Sequence, residues 1–220
     1  MKLEIRLEEK NDYRKVEEII REAFWNLYVP GASEHFILHS LRNSEVAVPE
    51  LNFIAVKDGE IVGQIFYTKA EIKDKDGKKH EILNFGPLCV TPKYHNLGIG
   101  KALIEHSRKV AAEMGYKGIA IYGYPGYYTR VGFQSGAKFG IARADGAFPK
   151  ALLVMELYPD SLKGISGNLH EFLSDLQFDG EEFLKYESSF PPKEKKYKPS
   201  QDLFAEMVNK MEDPENIKIY

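Results

Sequence analysis

Residues 90–102 read VTPKYHNLGIGKA, and two glycines, Gly98 and Gly100, stand where a helical pattern begins. The apolar run that ends at Val90 predicts a strand before this loop, and the apolar residues after it recur at helical spacing. The first N–H groups of a helix have no partner inside it, and the helix dipole makes that end partly positive. Glycine lets a bound oxyanion approach the backbone closely. The order strand, glycine loop, helix therefore predicts a pyrophosphate site.

Two nucleotide-binding motifs can be tested against this loop. A P-loop requires glycine at position 95 and Ser or Thr at position 102. This chain has His95 and Ala102 there, so no hydroxyl is placed for a magnesium ion. A Rossmann fingerprint requires a third glycine, where Leu103 stands, and an acidic residue about 20 positions further on. That region is the apolar segment Gly118–Ala120, so both motifs are excluded.

Strand and helix patterns precede the loop. Apolar residues alternate with charged ones over residues 3–7, which predicts a first strand. Apolar residues at helical spacing then predict a helix that Asp12 can cap and that Pro30-Gly31 ends. A second, shorter helix is predicted after Ser33.

Three extended runs follow and predict an antiparallel meander, because the turns between them each contain Asp-Gly. The runs are Leu51–Val56, Ile61–Thr68 and Glu81–Val90. Gly86-Pro87 lies inside the third run, where proline removes a ladder donor and glycine permits a bulge. We therefore expect this strand to be distorted, or splayed from a neighbour, at that point.

The chain after the loop predicts a βαβ-like unit followed by an extension. A helix that Gly115 ends leads into a buried strand at Gly118–Tyr122, and a last strand is predicted at Leu152–Leu157. Beyond Tyr158 the composition changes. We expect a main domain over residues 1–158 and an extension packed on it over residues 159–220, with helix candidates at Asp179–Tyr186 and Gln201–Lys210.

The loop resembles motif A of the GNAT superfamily of N-acetyltransferases, whose pattern is Gln/Arg-x-x-Gly-x-Gly/Ala; here it is His95–Gly100. Residues 128–133 resemble the family's Tyr-x-x-x-Gly-Phe signature. With the preceding Gly123-Tyr124-Pro125, they are similar to a subgroup reading Gly-x-Pro-x-Tyr-Tyr-x-Arg-x-Gly-Phe. The order of elements over residues 1–158 also follows the family. The resemblance implies an α+β GNAT acyl-CoA N-acyltransferase fold. Its mixed, mostly antiparallel central sheet is flanked by helices, and its fourth and fifth strands splay apart.

The resemblance implies an enzyme that transfers an acetyl group from acetyl-CoA to a primary amine by direct transfer. The acceptor would be a small-molecule or peptide amine. The implied CoA-binding residues lie on the third extended run and the loop: Leu88, Cys89, Val90, His95, Asn96, Leu97, Gly98, Ile99, Gly100, Lys101 and Ala102. Leu88 and Val90 would pair with the pantetheine arm through their backbone, and the loop amides would hold the pyrophosphate. His95 stands where the family has Gln or Arg, so one side-chain contact differs.

The same resemblance implies that Tyr128 is a general acid for the departing thiolate, and a phenol with a pKa near 10 can supply that proton. The alternative is an aromatic wedge between helix and sheet. Two general bases are considered: Glu81 on the central strand and Glu34 near the acceptor rim, and the alternative that each is a surface carboxylate stays open. Cys89 has no histidine at a suggestive spacing, so a nucleophilic role is not expected.

Bulk properties narrow the class of protein. The net charge of -3 does not favour nucleic acid, and the basic residues between Lys193 and Lys198 alternate with acid and proline. The six histidines show no metal-ligand spacing, so we predict no metal site. The amino terminus lacks the pattern of a signal peptide, and no apolar run reaches the roughly 18 residues that span a bilayer. We expect a cytoplasmic protein that does not enter a membrane.

One competing hypothesis belongs to another class of function. A GNAT-like module could bind acyl-CoA as a sensor or regulator and catalyse nothing. The residues leave two roles open for the extension, covering part of the acceptor cleft or mediating a homodimer. They do not identify the acceptor, because one fold serves many acceptors.

Overall fold

The computed structural model of the chain describes residues 3–172 and 180–212. Within these ranges lie nine strands: β1 (Leu3–Leu7), β2 (Phe53–Lys57), β3 (Glu60–Lys73), β4 (Lys79–Val90), β5 (Gly118–Tyr122), β6 (Gln134–Ser135), β7 (Ile141–Ala142), β8 (Leu152–Glu156) and β9 (Gly167–Glu171). The same ranges hold six α-helices: α1 (Tyr13–Phe24), α2 (Glu34–Leu41), α3 (Ile99–Glu113), α4 (Pro125–Tyr128), α5 (Glu181–Glu187) and α6 (Pro199–Asn209). None of these helices combines the length and the apolar character that crossing a bilayer requires.

The nine described strands form one mixed sheet. Its main path runs β1-β2-β3-β4-β5-β8-β6, with β9 beside the second half of β3 and β7 beside β9. Along the main path only the β4/β5 pair is parallel. The predicted α+β fold with a mostly antiparallel sheet is confirmed.

The β4/β5 pair opens into a cleft. Leu83 of β4 is in register with Ile119 of β5, and this is the single registered pair between the two strands. Further along β4, Gly86 and Pro87 together lie opposite one residue of β3, Phe66, which is a bulge. A bulge bends the strand that carries it. The predicted distortion at Gly86-Pro87 is therefore confirmed, and it directs β4 away from β5.

Helices cover both faces of the sheet. Successive side chains of a strand point to opposite faces, so Tyr67 of β3 packs with Leu103 of α3. Its neighbour Phe66 packs with Val16 and Ile20 of α1 on the other face. This alternation places α3 on one face of the sheet and α1 with α2 on the other face.

The first helix ends earlier than Pro30-Gly31 predicts. It stops at Phe24, and Asn26 follows with a left-handed φ of 60°. The indole Nε1 of Trp25 donates a hydrogen bond of 3.0 Å to the carbonyl of Glu194 in the extension. The end of α1 is thus held by residues far along the chain, and the local sequence pattern cannot predict these contacts.

The segment after Tyr158 contacts the main domain at several places. Strand β9 lies beside β3, and α5 packs on α1 and α2. Arg21 of α1 and His35 of α2 meet the Glu187 carboxylate at 2.5 Å and 2.8 Å. The predicted helix at Gln201–Lys210 corresponds to α6. Of the candidate at Asp179–Tyr186, Asp179 lies outside the described residues, Gly180 is the N-cap of α5, and α5 occupies the remaining positions.

Candidate active site

The glycine loop joins β4 to α3 through two left-handed residues. Asn96 has a φ of 61° and Gly98 a φ of 77°. Nothing lies within 4 Å of a Cβ built on Gly98. Glycine is favoured there by the backbone conformation and not by a lack of space, because L-residues with a side chain are strained in the left-handed region.

A run of backbone N–H groups in this loop has no acceptor. The amide of Ala102 donates to the carbonyl of Gly98 at 2.9 Å, which is the first hydrogen bond of α3. Among the described residues, no N–H group from Asn96 to Lys101 donates a hydrogen bond. These six amides lie at the partly positive end of α3 and suit an anion such as pyrophosphate. Ala102 differs from the rest of the predicted set, because its amide is already bonded.

The bulged strand has a free edge beside the loop. The Thr91 amide donates to the Val62 carbonyl of β3 at 2.8 Å. Backbone groups of alternate residues point to opposite edges of a strand, so those of Val90 and Leu88 point away from β3, toward the cleft. The His95 ring meets this edge, with Nε2 at 2.9 Å from the Val90 carbonyl oxygen. His95 thus donates to the strand edge from Nε2.

A cavity of about 370 Å³ occupies the cleft. Five residues that the sequence predicts for the site line it together: Leu88, Cys89, Val90, His95 and Tyr128. The ends of α1 and α2 form the opposite wall. The structure therefore joins the strand edge, His95 of the loop and the signature tyrosine in one space.

Tyr128 is held at the cleft by its own motif. Its ring packs on Phe85 and Phe133, with centroids at 6.0 Å and 5.5 Å. Gly132 has a left-handed φ of 102°, and the Phe133 amide then donates to the Tyr128 carbonyl at 3.1 Å. A Cβ on Gly123 would lie 2.3 Å from the ring, so a glycine is needed there. Burial is the main cause that raises the pKa of Tyr128, which keeps the phenol protonated.

Tyr127 has a position that the sequence does not predict. Its hydroxyl lies over the start of α3, where a Cβ built on Gly100 would be 2.7 Å from it. The hydroxyl is therefore next to the unpaired amides of the loop. Burial raises the pKa of Tyr127, so it is a hydrogen-bond donor at neutral pH.

The two carboxylates considered as bases lie far apart. Glu81 is exposed near the start of β4, 4.0 Å from Lys69, and it does not line the cleft. Leu88 lies seven positions further along the strand, which is about 23 Å of extended chain. The structure therefore does not bring Glu81 together with Tyr128. Glu34, at the start of α2, does line the cleft with Tyr128, and burial raises its pKa.

A third carboxylate was not identified from the sequence. Glu171 of β9 accepts a hydrogen bond of 3.1 Å from Nδ2 of Asn84, and this nitrogen also donates to the Ala120 carbonyl at 3.0 Å. Burial raises the pKa of Glu171 to about 7. Its charge acts on Tyr122, which lines the cleft. No local signal could have found Glu171, because only the pairing of β9 with β3 brings it here.

Cys89 is placed for packing. It is 4% exposed and packs with Phe24 and Phe66. Burial raises the pKa of its thiol to about 12, so the reactive thiolate is not populated at neutral pH. In the part of the chain that the structure describes, no three or more His, Cys, Asp or Glu side chains form a group that could hold a metal ion.

The chain is similar to known proteins both in sequence and in fold. Residues 49–135 match the family described as acetyltransferase (GNAT) domain. An uncharacterized N-acetyltransferase of Escherichia coli K12, YjhQ, is 32% identical over 127 residues, which are 57% of this chain and 66% of that protein. The chain thus spans slightly less than two thirds of this relative.

Two solved structures have the same fold. The GNAT family N-acetyltransferase YhbS from Escherichia coli, crystallised in complex with CoA, superposes with a TM-score of 0.70 at 21% identity, over 80% of this chain and 93% of that one. A GNAT family acetyltransferase from Brucella melitensis in complex with acetyl-CoA gives 0.63 at 22% identity, over 79% and 99%.

The family match covers the features described above. It begins just before β2 and ends with β6, so it includes the meander, the bulge, the glycine loop, α3 and Tyr128. The predicted subgroup motif and the boundary at residue 158 stay predictions. Residues 49–135 match the GNAT acetyltransferase domain family, and the described residues have the GNAT fold.

Proposed function

We propose that this protein is an N-acetyltransferase that moves the acetyl group of acetyl-CoA directly to a primary amine in a ternary complex. The observation that carries the proposal is the combination of three features at and beside one cleft. The free edge of β4 and the partly buried Tyr128 line the cleft, and His95 of its wall leads directly into the loop with the six unpaired amides. The CoA and acetyl-CoA complexes of the two GNAT structures support the choice of donor.

Donor binding would rest on the main chain. The amides of residues 96–101 would hold the pyrophosphate, and the free edge at Leu88 and Val90 would pair with the pantetheine arm as an added strand. Main-chain contacts tolerate His95 in place of the family's Gln or Arg. Binding of the long arm would orient the thioester against the amine, and orientation supplies much of the rate.

The chemistry would need one proton donor and one proton acceptor. The neutral amine attacks the thioester carbon, the C–N bond forms and the C–S bond breaks, and the thiolate takes the proton of Tyr128; the nitrogen then gives up its extra proton, which returns to the Tyr128 phenolate and leaves a neutral amide. An alkylammonium with a pKa near 10 must first lose a proton, and we assign Glu34 as its acceptor. The raised pKa of Glu34 makes it a stronger base than an exposed glutamate. A main-chain N–H at the bulge would stabilise the oxyanion.

A sensor that only binds acyl-CoA would need no space for an acceptor. In this structure the cleft adjoins a second cavity of about 690 Å³, and Tyr28 and Phe204 line both. We therefore favour an enzyme over a binding module.

Two measurements test the proposal. We expect acetyl-CoA to raise the melting temperature and CoA thiol to appear only when an amine is added. Stabilisation by acetyl-CoA without thiol release from any amine would favour the sensor. Tyr128→Phe should lower kcat by about a hundredfold or more and leave the dissociation constant of acetyl-CoA unchanged. Tyr158→Phe, at a tyrosine that is 44% exposed, is the matched control and should keep the wild-type kcat.

A further inference from the structure

The second cavity lies between α6 and the chain around α4. Tyr28, at the end of the α1 region, and Phe204 of α6 stack with ring centroids 4.1 Å apart. Because both rings also line the cleft, the two cavities share this aromatic wall. The extension therefore builds one side of a space that begins where an amine would meet the thioester.

Large apolar side chains line this cavity without being covered. Tyr124 is 66% exposed and Leu203 is 67% exposed, and Met207 lies beside them. Large apolar groups left open to solvent in a concave site favour an apolar ligand. The volume of about 690 Å³ suits a small organic molecule and not a protein surface.

The charged groups of the cavity are unbalanced. Lys210 pairs with Glu206 at 3.4 Å, and Glu212 accepts a hydrogen bond from the Ser135 hydroxyl. Arg130 and Lys150 also line the cavity, and among the described residues neither forms an ion pair. Glu212 pairs with no cation among the described residues, so the lining holds three cations (Arg130, Lys150 and Lys210) and two carboxylates (Glu206 and Glu212). The excess of one positive charge attracts a carboxylate and disfavours a second ammonium group.

We infer that this cavity holds the body of the acceptor. The geometry and charge fit a monoamine on a bulky apolar or aromatic body that carries a carboxylate away from the amine, such as an apolar dipeptide. Arg130 and Lys150 would bind the carboxylate, and Leu203 with Phe204 would contact the body. Polyamines and other polycations would be rejected. This inference rests on the proposed function, since it names the substrate class of the same site.

Three probes of matched chemistry test the inference: Phe-Phe dipeptide with a free carboxylate, the same dipeptide as its C-terminal amide, and spermidine. We expect kcat/KM measured by thiol release to be about tenfold higher for the acid than for the amide. One hydrogen bond to a charged group changes binding by about this factor. Spermidine should be the poorest of the three. Isothermal titration of each probe onto the CoA-saturated protein should rank them in the same order.

Two variants assign the residues. Arg130→Gln should remove the preference for the acid over the amide and leave acetyl-CoA affinity unchanged. Leu203→Ser should raise KM for both dipeptides by about tenfold, because it replaces an apolar contact with a hydroxyl. Leu203 is 67% exposed, so the variant should fold. Leu184→Ser is its matched control, since Leu184 of α5 is 58% exposed and lies outside the cavity.

The outcomes separate this inference from the proposed function. If the protein acetylates spermidine as efficiently as the dipeptide acid, the inference about the acceptor is wrong and the proposed acetyltransferase function stands. If Arg130→Gln binds acetyl-CoA more weakly and still prefers the dipeptide acid, Arg130 contacts acetyl-CoA and not the acceptor. This result would also overturn the inference. If acetyl-CoA binds and no amine releases thiol, the proposed function fails. Titration then shows whether the second cavity is a binding site. Dipeptide binding that Leu203→Ser weakens supports the site, and the absence of dipeptide binding refutes it.

Discussion

Replacing Gly98 with alanine tests whether backbone conformation builds the anion site. Gly98 has a φ of 77°, and nothing lies within 4 Å of its Cβ position. The new methyl group would therefore meet no neighbour, and the substitution acts on the backbone alone. An L-residue with a side chain is destabilised by about 1–2 kcal/mol of conformational free energy in this region.

That strain sets the size of two effects. If the loop keeps its shape, the free energy of unfolding falls by about 1–2 kcal/mol. If the loop relaxes, the amides from Asn96 to Lys101 no longer converge on one anion, and binding must restore the strained shape. A penalty of about 1–2 kcal/mol weakens binding roughly 5- to 30-fold. We expect the dissociation constant of acetyl-CoA to rise within that range.

Titration calorimetry with acetyl-CoA measures the affinity, and urea unfolding measures the stability. Gly115→Ala is the matched control, because Gly115 has a φ of 89° and equally open space. It lies beyond the other end of the 15-residue helix α3, about 25 Å from Gly98 by the helical rise. It should lose similar stability and keep its affinity. Gly98→Asn should bind more tightly than Gly98→Ala, because asparagine tolerates the left-handed region.

One result would refute this reasoning. If Gly98→Ala loses stability as Gly115→Ala does and still binds acetyl-CoA as tightly as the wild type, the loop amides do not form the donor site. If Gly98→Asn bound no better than Gly98→Ala, backbone strain would not be the cause of the lost affinity.

Three further variants probe the buried carboxylates. Burial raises the pKa of Glu34, so wild-type thiol release should rise with pH through that pKa, and Glu34→Gln should lower kcat and remove this dependence. Burial raises the pKa of Glu171 from 4.5 to about 7, so the folded state binds the proton more tightly. Its contribution to stability is complete below about pH 4.5 and is lost as pH rises through 7, by up to about 3 kcal/mol, which Glu171→Gln should abolish in urea unfolding at several pH values. Glu187→Gln removes the carboxylate that Arg21 and His35 share and should lower the free energy of unfolding by about 3 kcal/mol.

Matched substitutions on the same elements or nearby loops serve as controls. Glu45→Gln, at an exposed position after α2, should keep the kcat and pH profile of the wild type. A Glu34→Gln enzyme that behaves in the same way would exclude Glu34 as the base. Parallel pH–stability curves for Glu171→Gln and the wild type would contradict the burial argument. Glu182→Gln on the exposed face of α5 should change stability little, and a loss equal to that of Glu187→Gln would disprove the role of the ion pair.

The local elements could be predicted because their signals are local. Helix α3 begins at Ile99, where the glycine loop predicts it, and Gly115 follows its end with a left-handed φ. Strand β5 spans Gly118–Tyr122 as predicted. Strand β3 runs on to Lys73, beyond the predicted end at Thr68, because its second half pairs with β4 on one edge and with β9 from the extension on the other.

The candidate site likewise combines residues that local motifs predict with residues that only the tertiary packing brings together. The glycine loop and Tyr128 belong to contiguous motifs, and each motif contains the turn residues that shape it, such as Gly98 and Gly132. Glu34 and Glu171 belong to no motif. Glu34 reaches the cleft only because α2 packs across the sheet, and Glu171 only because β9 lies beside β3.

The sequence alone determined the order of the elements, the bulge at Gly86-Pro87 and the loop of unpaired amides, because turn chemistry and periodicity act within a few residues. The tertiary structure alone decided which carboxylate enters the cleft and what forms the second cavity. Tyr28 and Phe204 stack although they lie near opposite ends of the chain. Such contacts depend on how the extension packs against α1 and α4, and no spacing in the sequence encodes that packing.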